Sequence, residues 1–339
     1  MAALRRQARR PHAPYQDLPR SETSFAAHAA GTAMTVRPTK ATVSGRAFLA
    51  LQRAARAAGR TTAEYLRLYA LEGFLLRLAH SPQRNRFVLK GGVLLAAYGL
   101  RRPTTDIDGA ALQTSNQAED IRQFVVAVAS TVLPADLDDG LTFDLDSVTA
   151  EAIRDEDKYG GVRIRLVARL ASAREPFHVD VGIGDPIWPG PADISLPRLL
   201  GQEPIQLRGY PMEMVLAEKI LTALQRGSAS TRWRDFGDIF VITGRLTFRA
   251  GEIRHALQAV ADYRHVELAE LDDALDGYAE IGQPRWASWR RKLQLTETLP
   301  EQFGHALDSL KDFADPIIIG SIIDAATWDP AERAWNRAE

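Results

Sequence analysis

The hydrophobic residues near the start of the chain recur at intervals of three and four, which is typical of helices that bury one face. This pattern extends from Ser44 to His80 and is interrupted at Gly59, so it predicts two helices. Phe87-Val88-Leu89 is a short apolar run that predicts a buried strand leading into Lys90-Gly91-Gly92. Two further helices are predicted at Val93–Tyr98 and at about 116–132.

Strand-like segments follow and then give way to helical periodicity. Strands are predicted at 141–145, 162–170 and 177–183, the last two joined as a hairpin through a turn at 172–176. Beyond the Pro- and Gly-rich stretch 185–190, helices are predicted at about 211–226, 232–244, 250–263, 265–280 and 297–313. The fold class is therefore α/β in the broad sense (α+β), with a mixed sheet flanked by helices and a helical C-terminal lobe.

These patterns divide the chain into three parts. Residues 1–40 mix Arg, Pro, Ser, Thr and Ala without apolar periodicity and predict a flexible basic arm. The α/β core with its two leading helices spans 41–190, and the mainly helical lobe spans 191–339. The arm has two interpretations: it contacts nucleic acid, or translation naturally starts at Met34 and residues 1–33 are not made.

Composition narrows the class of protein. Of the 339 residues, 45% are hydrophobic and 25% are charged, as in globular proteins, and the net charge of −1 gives the whole chain no general attraction to nucleic acid. The absence of cysteine excludes disulfides, thiolate metal sites and a cysteine nucleophile. No apolar stretch approaches the roughly 20 residues of a membrane helix. We therefore expect a cytoplasmic protein without a membrane partner.

Three acidic residues are candidates for metal chemistry. Asp106 and Asp108 stand two residues apart, so in a strand their carboxylates project from the same face and can share Mg²⁺, with a nucleoside triphosphate supplying further oxygen ligands. Asp180 lies in a segment where apolar and polar residues alternate, which points its side chain away from the apolar face. There it can complete the metal site or accept a proton. Taken alone, such acids are more often solvated surface charges.

A glycine pair precedes these acids. Gly91-Gly92 lies at a predicted strand-to-helix junction, where bare backbone and helix N-terminal amides can approach phosphate oxygens. Lys90 adds a positive charge beside them. A tight turn with close packing is the alternative explanation of the glycines.

Four segments together resemble a known superfamily. Leu89–Gly92 and Arg102–Asp108 look like the first motif of the DNA polymerase β-like nucleotidyltransferases. Ala217–Lys219, Arg226 and Arg232–Asp238 follow in the expected order and are similar to the later lysine motif and the Arg-x-Lys-Asp-x-x-Asp signature of the AbiEii/MenT toxins of type IV toxin–antitoxin systems.

The matching segments extend from about residue 87 to 242, with two departures. His178 and Arg234 stand where the family commonly has lysine; the second exchange keeps the charge, and His178 is not assigned a catalytic role. The resemblance implies a nucleotidyltransferase-type mixed sheet and essential roles for Lys219 and Asp235.

The chemistry of these residues agrees with that role. Lys219 offers a compact cation to a triphosphate, and Arg232 and Arg234 can clamp phosphate oxygens. Thr104 occupies the position where relatives often carry serine, and it can contact the γ-phosphate or accept a phosphoryl group. Asp238 is expected to support these side chains. A helix surface held together by Arg/Asp ion pairs is the structural alternative.

The resemblance also implies a reaction and its partners. A nucleotide, with CTP or UTP as the favoured donor, would be transferred to the 3′ end of tRNA, blocking aminoacylation, and an AbiEi-like antitoxin would be the cognate partner. A predicted basic stripe of Arg163, Arg165 and Arg169 favours nucleic acid. Two alternatives stay open: an antibiotic-type nucleotidyltransferase acting on a small molecule, and a non-catalytic scaffold that binds a nucleotide or a partner.

Overall fold

The computed structural model describes residues 37–115, 117–153 and 160–336. Of the predicted arm, residues 1–40, the first 36 therefore lie outside the described residues. Within the described ranges, no helix combines the length and the apolar character needed to cross a lipid bilayer.

Two long helices precede the first strand, as the hydrophobic spacing predicts. They are α1 (Val43–Ala57) and α2 (Thr62–His80), separated by a turn that contains Gly59. Each begins after a threonine, Thr42 or Thr61, whose side-chain oxygen accepts a hydrogen bond from a backbone amide of the first turn. α2 is buried along most of its length because it packs against both α1 and the sheet.

Seven strands form one mixed sheet with the order β3-β4-β5-β2-β1-β7-β6. In chain order the strands are β1 (Phe87–Lys90), β2 (Asp106–Ala111), β3 (Thr142–Ile153), β4 (Gly161–Leu170), β5 (Ala173–Ile183), β6 (Ala192–Leu196) and β7 (Ile205–Gly209). β1 pairs in parallel with β7, and β2 with β5, whereas the other neighbours are antiparallel. The mixed sheet and its helices confirm the predicted fold class.

The sheet is larger than the sequence predicts. β6 and β7 were not predicted and lie beyond residue 190, so strands on both sides of the predicted domain boundary share one sheet. The β4–β5 pairing continues to Leu170 and Ala173, so the turn is limited to Ala171-Ser172 and the predicted turn at 172–176 is too long. Ala171 adopts a left-handed backbone conformation (φ 50°), which makes this tight reversal possible.

Two helices follow the first two strands of the sheet. α3 (Gly91–Leu94) continues directly from β1 and passes into a turn of 3₁₀ helix at Leu95–Tyr98. α4 (Ala118–Ala129) follows β2 and packs against β3 and β4. Both agree with the helices predicted from the sequence.

The C-terminal region is mainly helical, but two predicted helices were wrong. The helices are α5 (Met212–Arg226), α6 (Trp233–Thr243), α7 (Ala250–Arg264), α8 (Leu271–Ala274), α9 (Tyr278–Lys292) and α10 (Phe303–Ile318), followed by a small hairpin of β8 (Thr327–Asp329) and β9 (Ala334–Asn336). The predicted helix 265–280 is interrupted because His265 and Gly277 take positive φ angles of 52° and 65°. The predicted helix 297–313 begins later, at Phe303, and ends later, at Ile318.

Candidate active site

β2 and β5 bring three carboxylates to one face of the sheet. The parallel register places Asp106 beside His178 and Asp108 beside Asp180. Ile107 and Val179 are fully buried on the opposite face of these strands. The alternation seen in the sequence therefore separates a core face from a polar face, and the polar face lines a cleft of about 500 Å³.

The two aspartates of β2 have opposite electrostatic environments. Burial by itself raises the pKa of Asp106, but hydrogen bonds from His178 and Thr104 and the charge of Arg234 outweigh it and hold that pKa below its usual range. Burial and then the negative charges of Asp106 and Asp180 raise the pKa of Asp108. Asp108 is thus a carboxylate for which the surrounding protein does not supply enough positive charge.

Gly91 provides the space that Asp108 occupies. Its backbone is left-handed (φ 70°), and a Cβ atom at this position would overlap the Asp108 carboxylate. A Cβ atom at Gly92 would lie 2.8 Å from both Arg102 Nη1 and Thr104 Oγ1. Any residue larger than glycine at position 91 or 92 would therefore collide with side chains that form or support the cleft.

A buried network of charges faces the acids from the C-terminal helices. Lys219 Nζ on α5 lies 2.6 Å from Asp235 Oδ1 and 2.9 Å from Asp238 Oδ2, both on α6. Arg102 donates two hydrogen bonds to Asp238, at 2.7 and 2.9 Å. Asp238 therefore holds Lys219 and Arg102 together, which agrees with the supporting role expected for it.

The Lys219–Asp235 pair stays ionised although it is buried. Burial by itself lowers the pKa of Lys219, but the negative charges of Asp235 and Asp238 outweigh burial, so the pKa lies above its usual value. For Asp235, Lys219 and Arg232 outweigh the effect of burial and bring the pKa to about 2. Arg232 donates to Asp235 Oδ2 at 2.5 Å, and nearly half of its side chain is exposed to the cleft.

Lys90 is held by carboxylates rather than pointing freely into the cleft. Its Nζ atom lies 2.8 Å from Asp185 Oδ2 and 3.6 Å from Glu218 Oε1. The Tyr210 ring lies beneath it, with the centroid 5.4 Å from Nζ. That Lys90 binds phosphate stays a prediction, and such binding would have to draw the ammonium away from Asp185.

The arginines of β4 are each neutralised by an acid. Arg163 forms two hydrogen bonds with Asp180, at 2.8 and 2.6 Å. Arg165 lies 2.7 Å from Glu151 and Arg169 lies 2.8 Å from Asp144. The predicted basic stripe is therefore a row of ion pairs, because β3 and β5 place carboxylates beside each arginine.

The cleft brings together nearly all of the predicted site residues. Its walls include the predicted residues Lys90, Gly91, Gly92, Asp106, Asp108, Asp180, Lys219, Arg232, Arg234 and Asp235. Thr104 is buried behind the acids, and its Oγ1 donates to Asp106 Oδ1 at 2.7 Å. It therefore orients Asp106 in this structure rather than facing the open cleft.

The acids fit Mg²⁺ as a pair rather than as a triad. Asp106 and Asp108 share a face, and Asp108 is buried beside the carboxylates of Asp106 and Asp180, which together raise its pKa, so a divalent cation bound here would stabilise its charged form. Asp180 is bound by Arg163 instead, and among the described residues no group of three acidic or imidazole side chains is arranged around a possible ion. Two carboxylates and the phosphates of a substrate are a usual ligand set for Mg²⁺.

Several residues of the site were not predicted as functional. Arg102 belongs to the quoted motif, and Glu218 directly precedes Lys219, so neighbouring positions contained a signal for both. The sequence assigns His178 no catalytic role, yet its Nε2 atom lies 3.5 Å from Asp106 and 3.8 Å from Asp180. For Asp185 and Tyr210 no sequence signal was identified.

A face of paired acids opposite helix-borne Lys and Arg side chains suits chemistry on phosphate groups. Residues 73–312 match the model of a family described as the nucleotidyl transferase AbiEii toxin of type IV toxin–antitoxin systems. The match covers more than half of the chain, so this protein belongs to the AbiEii family of toxin-type nucleotidyltransferases. It confirms the resemblance drawn from the motifs, and membership implies an antitoxin partner.

Two crystal structures of proteins from Helicobacter pylori are similar to this chain at low sequence identity. One is a candidate nucleotidyltransferase with 17% identity and a TM-score of 0.41, over 74% of this chain and 92% of that one. The other is JHP933, with 16% identity and a TM-score of 0.39, over 74% of this chain and 89% of that one. Among curated proteins, none matches the sequence.

Proposed function

We propose that this protein transfers a nucleoside monophosphate from a pyrimidine nucleoside triphosphate, CTP or UTP, to the 3′ end of tRNA in a Mg²⁺-dependent reaction. The extended tRNA can no longer be aminoacylated, and translation stops. The observation that carries the proposal is the cleft itself, in which Asp106 and Asp108 face Lys219, Arg232 and Arg234.

In this reaction the 3′-hydroxyl oxygen forms a bond to the α-phosphorus while the bond from that phosphorus to the bridging β-oxygen breaks, and pyrophosphate leaves. Mg²⁺ held by Asp106 and Asp108 would neutralise charge on the phosphate oxygens. The side chains of Lys219, Arg232 and Arg234 stabilise the negative charge that develops on pyrophosphate. The hydroxyl proton leaves to a base, for which the cleft offers Asp180.

The charge pairs in the cleft support this role for the cations. Lys219 is fixed by Asp235 and Asp238, at 2.6 and 2.9 Å. A cation held in this way needs little rearrangement when charge develops on the leaving group. Arg232 and Arg234 are exposed on the same wall, where they are accessible to phosphate oxygens.

The tRNA acceptor rests on membership of a type IV toxin–antitoxin family together with the resemblance to MenT toxins. The arginines of β4 do not add to it, because each is paired with a carboxylate. A small-molecule acceptor is therefore the main competing outcome of the experiment.

The test is incubation of the purified protein with Mg²⁺, total tRNA and each α-labelled nucleoside triphosphate in turn. Asp106→Ala and Lys219→Ala remove one side chain from each wall of the cleft. Lys292→Ala, at an exposed lysine at the end of α9, is the matched control.

The proposal predicts label on the 3′ end of tRNA from CTP or UTP, lost in both cleft variants, retained in Lys292→Ala and abolished by EDTA. Labelling from a purine triphosphate alone would contradict the donor assignment. Labelling that persists in EDTA would contradict the metal requirement. Absence of label on tRNA from any triphosphate, with nucleotide binding intact, would overturn the tRNA assignment.

A further inference from the structure

A second cavity lies behind the active-site cleft. It has a volume of about 420 Å³ and is lined by α2, the 99–103 loop, α6 and the segment 289–299. Small-molecule sites in proteins have volumes of about 300–1,000 Å³, so this cavity is large enough to hold a ligand. Apart from Arg102, its lining residues differ from those of the cleft.

The wall of this cavity, here called the rear cavity, combines apolar and aromatic groups. Tyr65 and Trp289 are half-buried, and the leucines at positions 68, 95, 100, 199, 295 and 299 supply much of the remaining surface. Trp289 is closely fitted, because a Cβ atom at Gly237 of α6 would lie 2.9 Å from its Cη2 atom. A rigid aromatic wall of this kind suits a planar ring.

The rear cavity also carries more positive than negative charge. Arg60 is paired with Glu64 at 3.0 Å, and Arg102 is paired with Asp238 at 2.7 Å. Two further arginines line the wall with no carboxylate within ion-pair distance among the described residues. These are Arg101, which donates to the Pro197 carbonyl oxygen, and Arg245, which is exposed at the edge of the cavity. The site therefore favours an anion attached to a planar apolar group.

The rear cavity and the cleft are connected by one continuous charge network. Arg102 lines both spaces, and Asp238 lines the rear cavity. Asp238 accepts hydrogen bonds from Arg102 and lies 2.9 Å from Lys219 Nζ, which lines the cleft. A ligand in the rear cavity would therefore lie beside the ion pairs that hold Lys219 in place.

We propose that the rear cavity is a second binding site for a nucleotide, with the base against Trp289 and Tyr65 and the phosphate at Arg101 and Arg245. The nucleotide has two possible sources, a free mononucleotide or a nucleotide within an RNA strand. The site is additional to the one that holds the donor in the proposed reaction.

The stoichiometry of nucleotide binding tests this proposal. Equilibrium dialysis of the protein with labelled CTP, and separately with labelled ATP, counts the nucleotides bound per chain without any acceptor. Val241→Trp, on the α6 wall, fills the rear cavity and leaves the cleft residues unchanged. Lys219→Ala removes a cation that lines the cleft and does not line the rear cavity. If the source is free nucleotide, the wild type binds two nucleotides per chain and each variant loses a different one.

Affinity for RNA tests the other source. If the second nucleotide belongs to an RNA strand, the wild type binds one free nucleotide, tRNA crosslinks to the peptide containing Trp289, and Val241→Trp weakens tRNA binding. Arg245→Ala is a milder second variant at an exposed position, so it guards against misfolding of Val241→Trp. Loss of one charge-assisted contact is expected to weaken binding about 10-fold in either arm.

The outcomes separate this proposal from the proposed function. One free nucleotide bound in both the wild type and Val241→Trp, with unchanged tRNA affinity in Val241→Trp and Arg245→Ala, would overturn the second site and leave the transfer reaction untouched. One nucleotide that is lost in Val241→Trp and retained in Lys219→Ala would support the rear cavity and contradict donor binding at Lys219.

Discussion

The backbone of Gly91 lies against the carboxylate of Asp108, so closely that a side chain at Gly91 would overlap it. β1 and β2 are antiparallel neighbours, and Lys90 is paired in register with Asp108. Glycine is thus needed at position 91 for two reasons: the backbone is left-handed, with a φ of 70°, and the Asp108 carboxylate fills the space that a side chain would occupy. In this structure Gly91 makes room for Asp108 and Gly92 makes room for Arg102 and Thr104, while contact of the two glycines with phosphate stays a prediction.

Gly91→Ala is therefore expected to reduce transfer strongly. The new Cβ atom displaces the Asp108 carboxylate, and misplacement of a reacting group by about 1 Å costs on the order of 100-fold in rate. Gly59→Ala is the matched control, since Gly59 has a similar φ of 65° and open space around its Cβ position. Equal rates for the two variants, measured by tRNA labelling, would contradict the steric role of Gly91.

The two aspartates of β2 should affect stability in opposite directions. Asp108→Asn removes a buried negative charge that lies near Asp106 and Asp180 and whose pKa is raised, so the metal-free protein should become more stable. Asp106→Asn keeps only one acceptor oxygen for Thr104 and His178 and removes the negative charge that Arg234 and His178 stabilise, so this variant should become less stable. A change of 1 kcal/mol shifts the Tm by about 2–4 °C in proteins of roughly 150–250 residues, and by less in a longer chain such as this one.

Thermal melts without metal at pH 7 check this pair. Because the pKa of Asp108 is raised on folding, its ionisation destabilises the folded state as pH rises through that pKa, so the advantage of Asp108→Asn should shrink when the pH is lowered. Both variants should lose transfer. Tm shifts of the same sign would argue against the electrostatic asymmetry.

Arg163→Ala should lower kcat. Asp180 would lose two hydrogen bonds, at 2.8 and 2.6 Å, and its carboxylate would be free to turn. Hydrogen bonds to charged groups contribute about 1.5–3 kcal/mol, which corresponds to a loss of about 10- to 100-fold. Arg165→Ala, two residues further along the same strand and paired with exposed Glu151, should leave kcat unchanged.

Steady-state kinetics with tRNA distinguishes this explanation from direct contact with RNA. If the β4 arginines bound the RNA backbone, both variants would raise KM for tRNA, and the rise relative to the wild type would shrink at high salt because each variant makes one phosphate contact fewer. An equal rise in KM for tRNA in Arg163→Ala and Arg165→Ala would indicate that the β4 arginines contact nucleic acid despite their ion pairs.

Arg102→Ala should destabilise the fold. It leaves the buried Asp238 with Lys219 as its remaining cationic partner, and breaking a buried pair typically costs about 3–5 kcal/mol. Arg122→Ala removes an exposed pair with Glu119 on α4 and should not move the unfolding midpoint measurably. Urea unfolding of the two variants checks the difference; similar midpoints would contradict a structural role for Arg102.

Local patterns in the sequence were sufficient for the fold class and the acid-bearing strands. The alternation around Asp180 predicted both the strand and the face on which the carboxylate lies, because the period of a strand is visible within a few residues. β6 and β7 escaped prediction because they are five residues each and follow a Pro- and Gly-rich stretch. The helix predicted over 265–280 failed because periodicity alone does not reveal the left-handed residues His265 and Gly277.

Partnerships within the site depend on contacts that are distant in sequence. Arg102 and Asp238 are 136 residues apart, and Lys90 and Asp185 are 95 apart. The motifs therefore contained Arg102, Asp238 and Lys90, but the sequence did not reveal which residues pair with each other. The same reason explains the wrong expectation for the β4 arginines, since Glu151 and Asp144 lie on β3 and reach them only through strand pairing.

The most direct test of the central claim compares α-labelled and γ-labelled CTP and UTP in the presence of Mg²⁺ and tRNA. Transfer at Asp106 and Asp108 predicts that the α-label becomes attached to tRNA and the γ-label leaves as pyrophosphate, with both signals absent in Asp106→Asn and Asp108→Asn. If the γ-label appears on the product or on the protein, or the α-label is incorporated equally by both variants, nucleotidyl transfer in this cleft is contradicted.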